Sequence, residues 1–167
     1  MKKIMEMLQN MKAKNEKKDN KGFSLVELII VIAIMAILVG IVGTQVIPYI
    51  NKSKVAKDQQ VLNSFSSAAV TAYAENAETM PTTGTITVNV YGTNTADTPA
   101  ATLAAAIQKN TGYSGLADVK KQFASDAKTM TTDIVVTINV GSHEVTTSIN
   151  YGSNTPSESV ADVKATL

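Results

Sequence analysis

Residues 28 to 51, LIIVIAIMAILVGIVGTQVIPYIN, contain no charged side chain, and Glu27 stands immediately before them. Coiled into a helix, residues 23–47 extend about 37 Å, enough to cross a hydrocarbon layer of about 30 Å. A secretory signal is the competing reading. Its apolar region is shorter, however, and a small-residue cleavage site of the Ala-x-Ala kind follows it. Here the run continues into Thr44, Gln45 and Pro48. An uncleaved single-pass anchor therefore accounts for the length, and one modest domain can be built from what remains of the 167 residues.

The charges on the two sides of the run are unequal. Residues 1–22 carry seven lysines against Glu6, Glu16 and Asp19, whereas residues 23–167 carry eight lysines against eleven acids. The positive-inside rule places such a basic N-terminus in the cytoplasm and the C-terminal domain outside. With no cysteine in the chain, disulfides, thiolate metal sites and a cysteine nucleophile are excluded. All fifteen basic residues are lysine. The absence of the bidentate arginine fork argues against specific recognition of nucleic acid.

Glu27 is what a plain anchor leaves unexplained. A carboxylate in a spanning helix costs about 3 kcal/mol, and its presence there is a functional hypothesis by default. Near the cytoplasmic end it could also reach the headgroups at lower cost. Gly22-Phe23 suggests more. A cut after Gly22 gives Phe23 a free α-amine of pKa about 8, a cation at neutral pH. That cation would lie four residues from Glu27, within pairing reach inside one subunit or between neighbours. Pairing offsets much of the penalty that either buried charge would carry alone.

The stretch KGFSLVELIIVIAIMAIL, residues 21–38, resembles the class III signal of type IV prepilins: a lysine-rich leader ending in Gly22, then Phe23, Glu27 and a long apolar helix. The resemblance implies cleavage between Gly22 and Phe23 by a membrane prepilin peptidase, and N-methylation of Phe23 by the same peptidase/methyltransferase. It also implies that Glu27 guides docking onto a growing filament. Further implied partners are other copies of the chain, an assembly platform protein and a separate assembly ATPase. The expected regions are a cleaved leader at 1–22, a transmembrane and filament-core helix at 23–48, and an outer pilin domain at 49–167. The precursor is expected in the cytoplasmic membrane and the product in an extracellular pilus serving adhesion, motility or biofilm. The lack of cysteine is similar to the major pilins of Gram-positive anaerobes, so a major pilin is the expected role. A minor pilin or a pseudopilin of a secretion or DNA-uptake system is the nearest alternative. A membrane-tethered binding domain that never polymerises is the alternative from another class.

Gly40, Gly43 and Pro48 weaken helix, and the sequence predicts a kink or locally melted stretch there. In a membrane helix such residues are also tolerated without consequence. From Pro48 on, Val55, Leu62, Phe65, Ala69, Ala72 and Tyr73 recur at helical spacing, with Lys54, Lys57, Asp58, Gln59 and Ser66 on other faces. The first helix is thus expected to reach about Asn76. Met80-Pro-Thr-Thr-Gly84 then breaks it.

Beyond the break, TITVNVY reads as a half-buried strand with Ile86, Val88 and Val90 inward. Thr98-Pro99 reads as the N-cap and first residue of a helix. A second helix is expected over 116–128, with Leu116, Val119, Phe123 and Ala127 on one face. DIVVTINVGSHEVTTSINY reads as a hairpin whose Gly141-Ser142 suits a type II′ turn, pairing Ile134 with Ile149, Val136 with Thr147 and Ile138 with Val145. Thr155-Pro156 reads as the start of a final short helix or of a frayed end. The fold class is α+β: a long N-terminal helix whose first half spans the membrane, with a small antiparallel sheet packed on its outer half, as in the pilins that the signal resembles.

No enzyme is read from these residues. His143 is the single histidine, beside a turn, and no metal cluster or catalytic triad is announced. Asp97, Asp118, Asp126, Asp133 and Glu144 do not follow a calcium-loop spacing. No glycine-rich phosphate loop occurs, and no cofactor is expected.

Overall fold

The computed structural model of the chain describes residues 3–7, 9, 24–154, 156 and 158–167. Cα packing divides the protein into two units, Met1–Gln45 and Val46–Leu167. The first is dominated by α1, Leu25–Ile41, in which no residue is buried. Among the described residues it has no polar stripe and no core to face. A π-helical segment, Val42–Val46, follows, and then α2, Ile47–Glu75. The helical run Leu25–Glu75 includes a stretch long and apolar enough to cross a membrane.

This π-helical segment lies in the zone where a kink or melted stretch is expected, just ahead of Pro48. Proline cannot donate to the carbonyl four residues back, and its ring clashes with it. Widening the preceding turn relieves that clash while the backbone stays helical. Thr44 Oγ1 adds a bond to the Gly40 carbonyl at 3.1 Å. A Cβ added at Gly40 or Gly43 would meet nothing within 4 Å, so neither glycine is required by packing inside the chain.

The second unit is α+β. Its sheet has the order β1-β2-β3-β4, all antiparallel, from Thr85–Asn89, Asp133–Asn139, Glu144–Asn150 and Val163–Thr166. The outer half of α2 and the helix α3, Pro99–Thr111, cover one face. On α2, Leu62, Phe65, Ala69 and Ala72 are fully buried, the stripe expected from their spacing. They meet Ile134, Val136 and Ile138 of β2 and Val145 of β3, also fully buried. Phe65 stacks on Tyr113 with centroids 5.9 Å apart and meets Tyr91 edge-on at 6.2 Å. α3 begins as expected, with Thr98 Oγ1 accepting from the Ala101 N–H at 3.4 Å. It ends on Gly112 at φ 75°, a left-handed cap that glycine adopts without a Cβ penalty.

The hairpin register matches the expectation at Ile134–Ile149, Val136–Thr147 and Ile138–Val145. The turn differs. Gly141 is not in the left-handed region, so this is no type II′ turn; His143 takes that conformation at φ 56°. Asn139 Oδ1 accepts from the Ser142 N–H at 3.1 Å and closes a four-residue connection. Register was set by which residues must face the core, and that constraint survives a change of turn.

Three further expectations are corrected. The helix expected over 116–128 is two helices, α4 at Leu116–Gln122 and α5 at Ala127–Met130. Asp58 and Ser66, placed by periodicity off the apolar stripe, are nonetheless buried, with 0% and 2% exposure. The tail is not a helix but β4, pairing with β3 and ending where the Leu167 N–H donates to the His143 carbonyl at 2.9 Å. Thr155 itself lies outside the described residues.

The split of the helix and the burial of Asp58 share a cause. Asp58 Oδ1 accepts from the Ala124 N–H at 2.6 Å, and Oδ2 from the Ser125 N–H at 3.1 Å and the Ser125 hydroxyl. In a continuous helix those two N–H groups would donate to carbonyls four residues back. A carboxylate is the stronger acceptor and takes them instead. Phe123 and Ala127 still reach the core, one from each side of the break.

Asp133 repeats the device. Its carboxylate accepts from the N–H groups of Tyr91 at 2.9 Å and Gly92 at 3.0 Å, and is 5% exposed. A Cβ on Gly92 would lie 2.6 Å from Asp133 Oδ2, so glycine is what lets the backbone come this close. In a chain without arginine, both buried acids are served by pairs of successive backbone N–H groups rather than by cations.

Among the described residues, two buried hydroxyls, Ser66 Oγ and Thr147 Oγ1, have no hydrogen-bond partner. Thr147 points into the core from β3 with 0% exposure. Valine has nearly the same shape and suits a strand. Thr147→Val should therefore raise the unfolding free energy by about 1 kcal/mol, measured by urea denaturation of the full chain in detergent.

Candidate processing and assembly site

Gly22 and Phe23, the residues of the expected cut and methylation, lie outside the described residues. The described part of the site begins at Ser24, whose backbone is extended at φ −61°, ψ 142° and serves as N-cap of α1. Ser24 Oγ accepts from the Val26 N–H at 3.3 Å. In return, Glu27 Oε2 accepts from the Ser24 N–H at 2.8 Å. Together they form a capping box, Ser at the cap and Glu three residues on.

This gives Glu27 a local role that sequence reasoning missed. The signal was present: Ser24-Leu-Val-Glu27 directly before an apolar run is the S-x-x-E pattern. The carboxylate satisfies one of the orphan donors at the helix start and lies at the positive end of the helix dipole. Among the described residues, Glu27 forms no ion pair with any lysine. Its position is fixed by the cap.

Around it, α1 presents Leu25, Val26, Leu28, Ile29 and Ile30, each at least half exposed. Such a surface is unsuited to water. It is satisfied in lipid or against other apolar helices. Gly40 and Gly43 near the far end, with no Cβ-sized obstruction around them, would let another helix approach closely.

The remaining titratable residues considered above as metal ligands or catalysts lie in the second unit. His143 is an exposed turn residue. Among the described residues no group of three or more His, Asp or Glu side chains could hold a metal ion. Asp118 pairs with Lys121 at 2.8 Å and with the Ser114 hydroxyl, and these bonds hold its carboxyl below the usual range. The ammonium of Lys164 does the same for Glu144 across β3 and β4. Both pairs are on the surface and lie in no enclosed site.

Residues 17–43 match the family model of the prokaryotic N-terminal methylation motif, a span that includes the Gly22-Phe23 junction, Glu27 and all of α1. No curated protein and no solved structure matches the chain. The motif is that of a structural protein, and the α+β fold with its long apolar N-terminal helix is consistent with it. The N-terminal segment of this chain is thus a type IV pilin-like prepilin signal.

Proposed function

We propose that the chain is the precursor of a major pilin, the structural subunit of a type IV pilus. The observation that carries this reading is the coincidence of the methylation motif with a helix, α1, that buries none of its own apolar side chains. In this reading residues 1–22 are a leader, removed after Gly22, and Phe23 carries the new methylated amine. Residues 23–48 hold the subunit in the membrane and later form the filament core, and residues 49–167 form its surface.

A subunit whose apolar stripe meets a different stripe on its neighbour makes a heterologous contact, and when the rotation does not close, an open helical filament results. Extraction from the lipid draws on a separate ATPase acting through a platform protein. Glu27, already oriented by Ser24, offers the carboxylate that a neighbour's Phe23 amine can meet.

The test is the state of the native N-terminus. Fibres sheared from the surface of the native cells should contain the chain beginning at Phe23, heavier by one methyl group in mass spectrometry. An intact Met1, or a protein found solely as a membrane monomer, overturns the reading and favours a tethered domain that does not polymerise.

A further inference from the structure

Where the apolar run ends, α2 carries Tyr49, Lys52, Ser53, Ala56 and Lys57. At 3.6 residues per turn these five share one face, while Asp58 and Leu62 occupy the face buried in the core. All five are exposed, Tyr49 by 73%. Lys52 Nζ lies 6.0 Å from the centroid of the Tyr49 ring. The sole acid between residues 28 and 74 is Asp58, whose carboxylate is buried and occupied by Ala124 and Ser125. Among the described residues, neither Lys52 nor Lys57 has a carboxylate within ion-pair distance. Lys54 is different: it points to another side and lines a small cleft with Asp126 and Glu158.

We propose that Tyr49, Lys52 and Lys57 form a collar that binds the phosphates of anionic phospholipid headgroups in the outer leaflet while the chain is stored in the membrane. This rests on the membrane-anchored precursor reading. Along the helix axis Lys52 lies about 3 Å and Lys57 about 10 Å beyond Ile50. The polar zone on each side of the hydrocarbon is about 5–8 Å thick, so Lys52 falls inside it and Lys57 at its edge, with a stem long enough to bend back. Tyr49 sits at the boundary, where an amphipathic ring is favoured. Each lysine near an anionic surface strengthens attraction about fivefold. The collar would hold the outer end of the span at a fixed depth, as the leader's lysines hold the inner end.

The absence of cysteine makes a clean test possible, because Ser53→Cys places a unique label in the middle of this face. The full chain carrying a nitroxide there is reconstituted into vesicles of phosphatidylcholine alone, or of phosphatidylcholine with phosphatidylglycerol. Adding phosphatidylglycerol should lower the label's accessibility to a water-soluble relaxing agent about twofold. Salt at about 1 M, where the Debye length is about 3 Å, should restore it. Lys52→Gln combined with Lys57→Gln should also restore it. Equal accessibility in both lipids, or a phosphatidylglycerol effect that survives in the double variant, overturns the collar. Protection that arises only on polymerisation assigns the face to a neighbouring subunit and equally overturns it. A chain that carbonate washes from the vesicles fails the membrane reading itself, whereas a chain that inserts but ignores phosphatidylglycerol fails only the collar.

Discussion

Asp58→Ala lowers the unfolding free energy of the Val46–Leu167 unit by about 3 kcal/mol or more, because it strands two backbone N–H groups and a hydroxyl that now share one buried carboxylate. Against a total stability of about 5–15 kcal/mol that is a large fraction. Asp58→Asn should lose roughly half as much: its amide oxygen still accepts from Ala124, its NH2 can donate to the Ser125 hydroxyl, and only the Ser125 N–H is left facing a donor. Ser125→Ala, which leaves both backbone bonds to Asp58 in place, should cost about 1 kcal/mol. Urea unfolding of the three variants in detergent, followed by tyrosine signals, reads the order directly. If Asp58→Ala matched the wild type, the carboxylate would not be what breaks the helix between Gln122 and Ala127.

The same bond explains what could and could not be read in the sequence. Features set by neighbours in the chain are legible. Thr98-Pro99 caps α3 because a hydroxyl and a fixed φ act within one turn. The register of β2 and β3 follows from alternation that only one pairing can bury. Features set by distant partners are not. Asp58 reads only as a residue off the apolar stripe because periodicity cannot see Ala124 and Ser125, 66 and 67 residues away. Residues 116–128 read as one helix for the same reason. In the tail, Val163, Ala165 and Leu167 face inward and Lys164 and Thr166 outward, but this alternation is too short to outweigh the start signal at Thr155-Pro156. It becomes a strand because β3 offers an unpaired edge. The capping box is the opposite case. It is wholly local and legible, yet Glu27 draws attention as a charge in lipid before its spacing from Ser24 is noticed.

That double character makes Glu27→Gln more informative than alanine. Glutamine at the third helical position can also close a capping box, so Glu27→Gln keeps the cap and removes only the charge. Glu27→Ala removes both. If the carboxylate's role is the cap, the glutamine variant should assemble normally, and the alanine variant should lose about 1 kcal/mol of helix stability with little else. If its role is to pair with a Phe23 amine in an apolar filament core, leaving that amine unpaired costs about 3–5 kcal/mol, and both variants should fall more than a hundredfold in filament incorporation. The second outcome is expected. Sheared-fibre yield, compared with the membrane pool of processed subunit, measures it, and equal processing of all three proteins separates assembly from cleavage. Ser24→Ala then isolates the remaining component: it removes the hydroxyl that caps Val26 but leaves the Ser24-position N–H on Glu27, so incorporation should fall far less than in Glu27→Gln. The capping box that positions the Glu27 carboxylate and the proposed docking of a subunit on its charge would use the same oxygen atoms. If the proposed cut after Gly22 occurs, the new Phe23 amine would be a cation competing for an acceptor that α1 already holds in place.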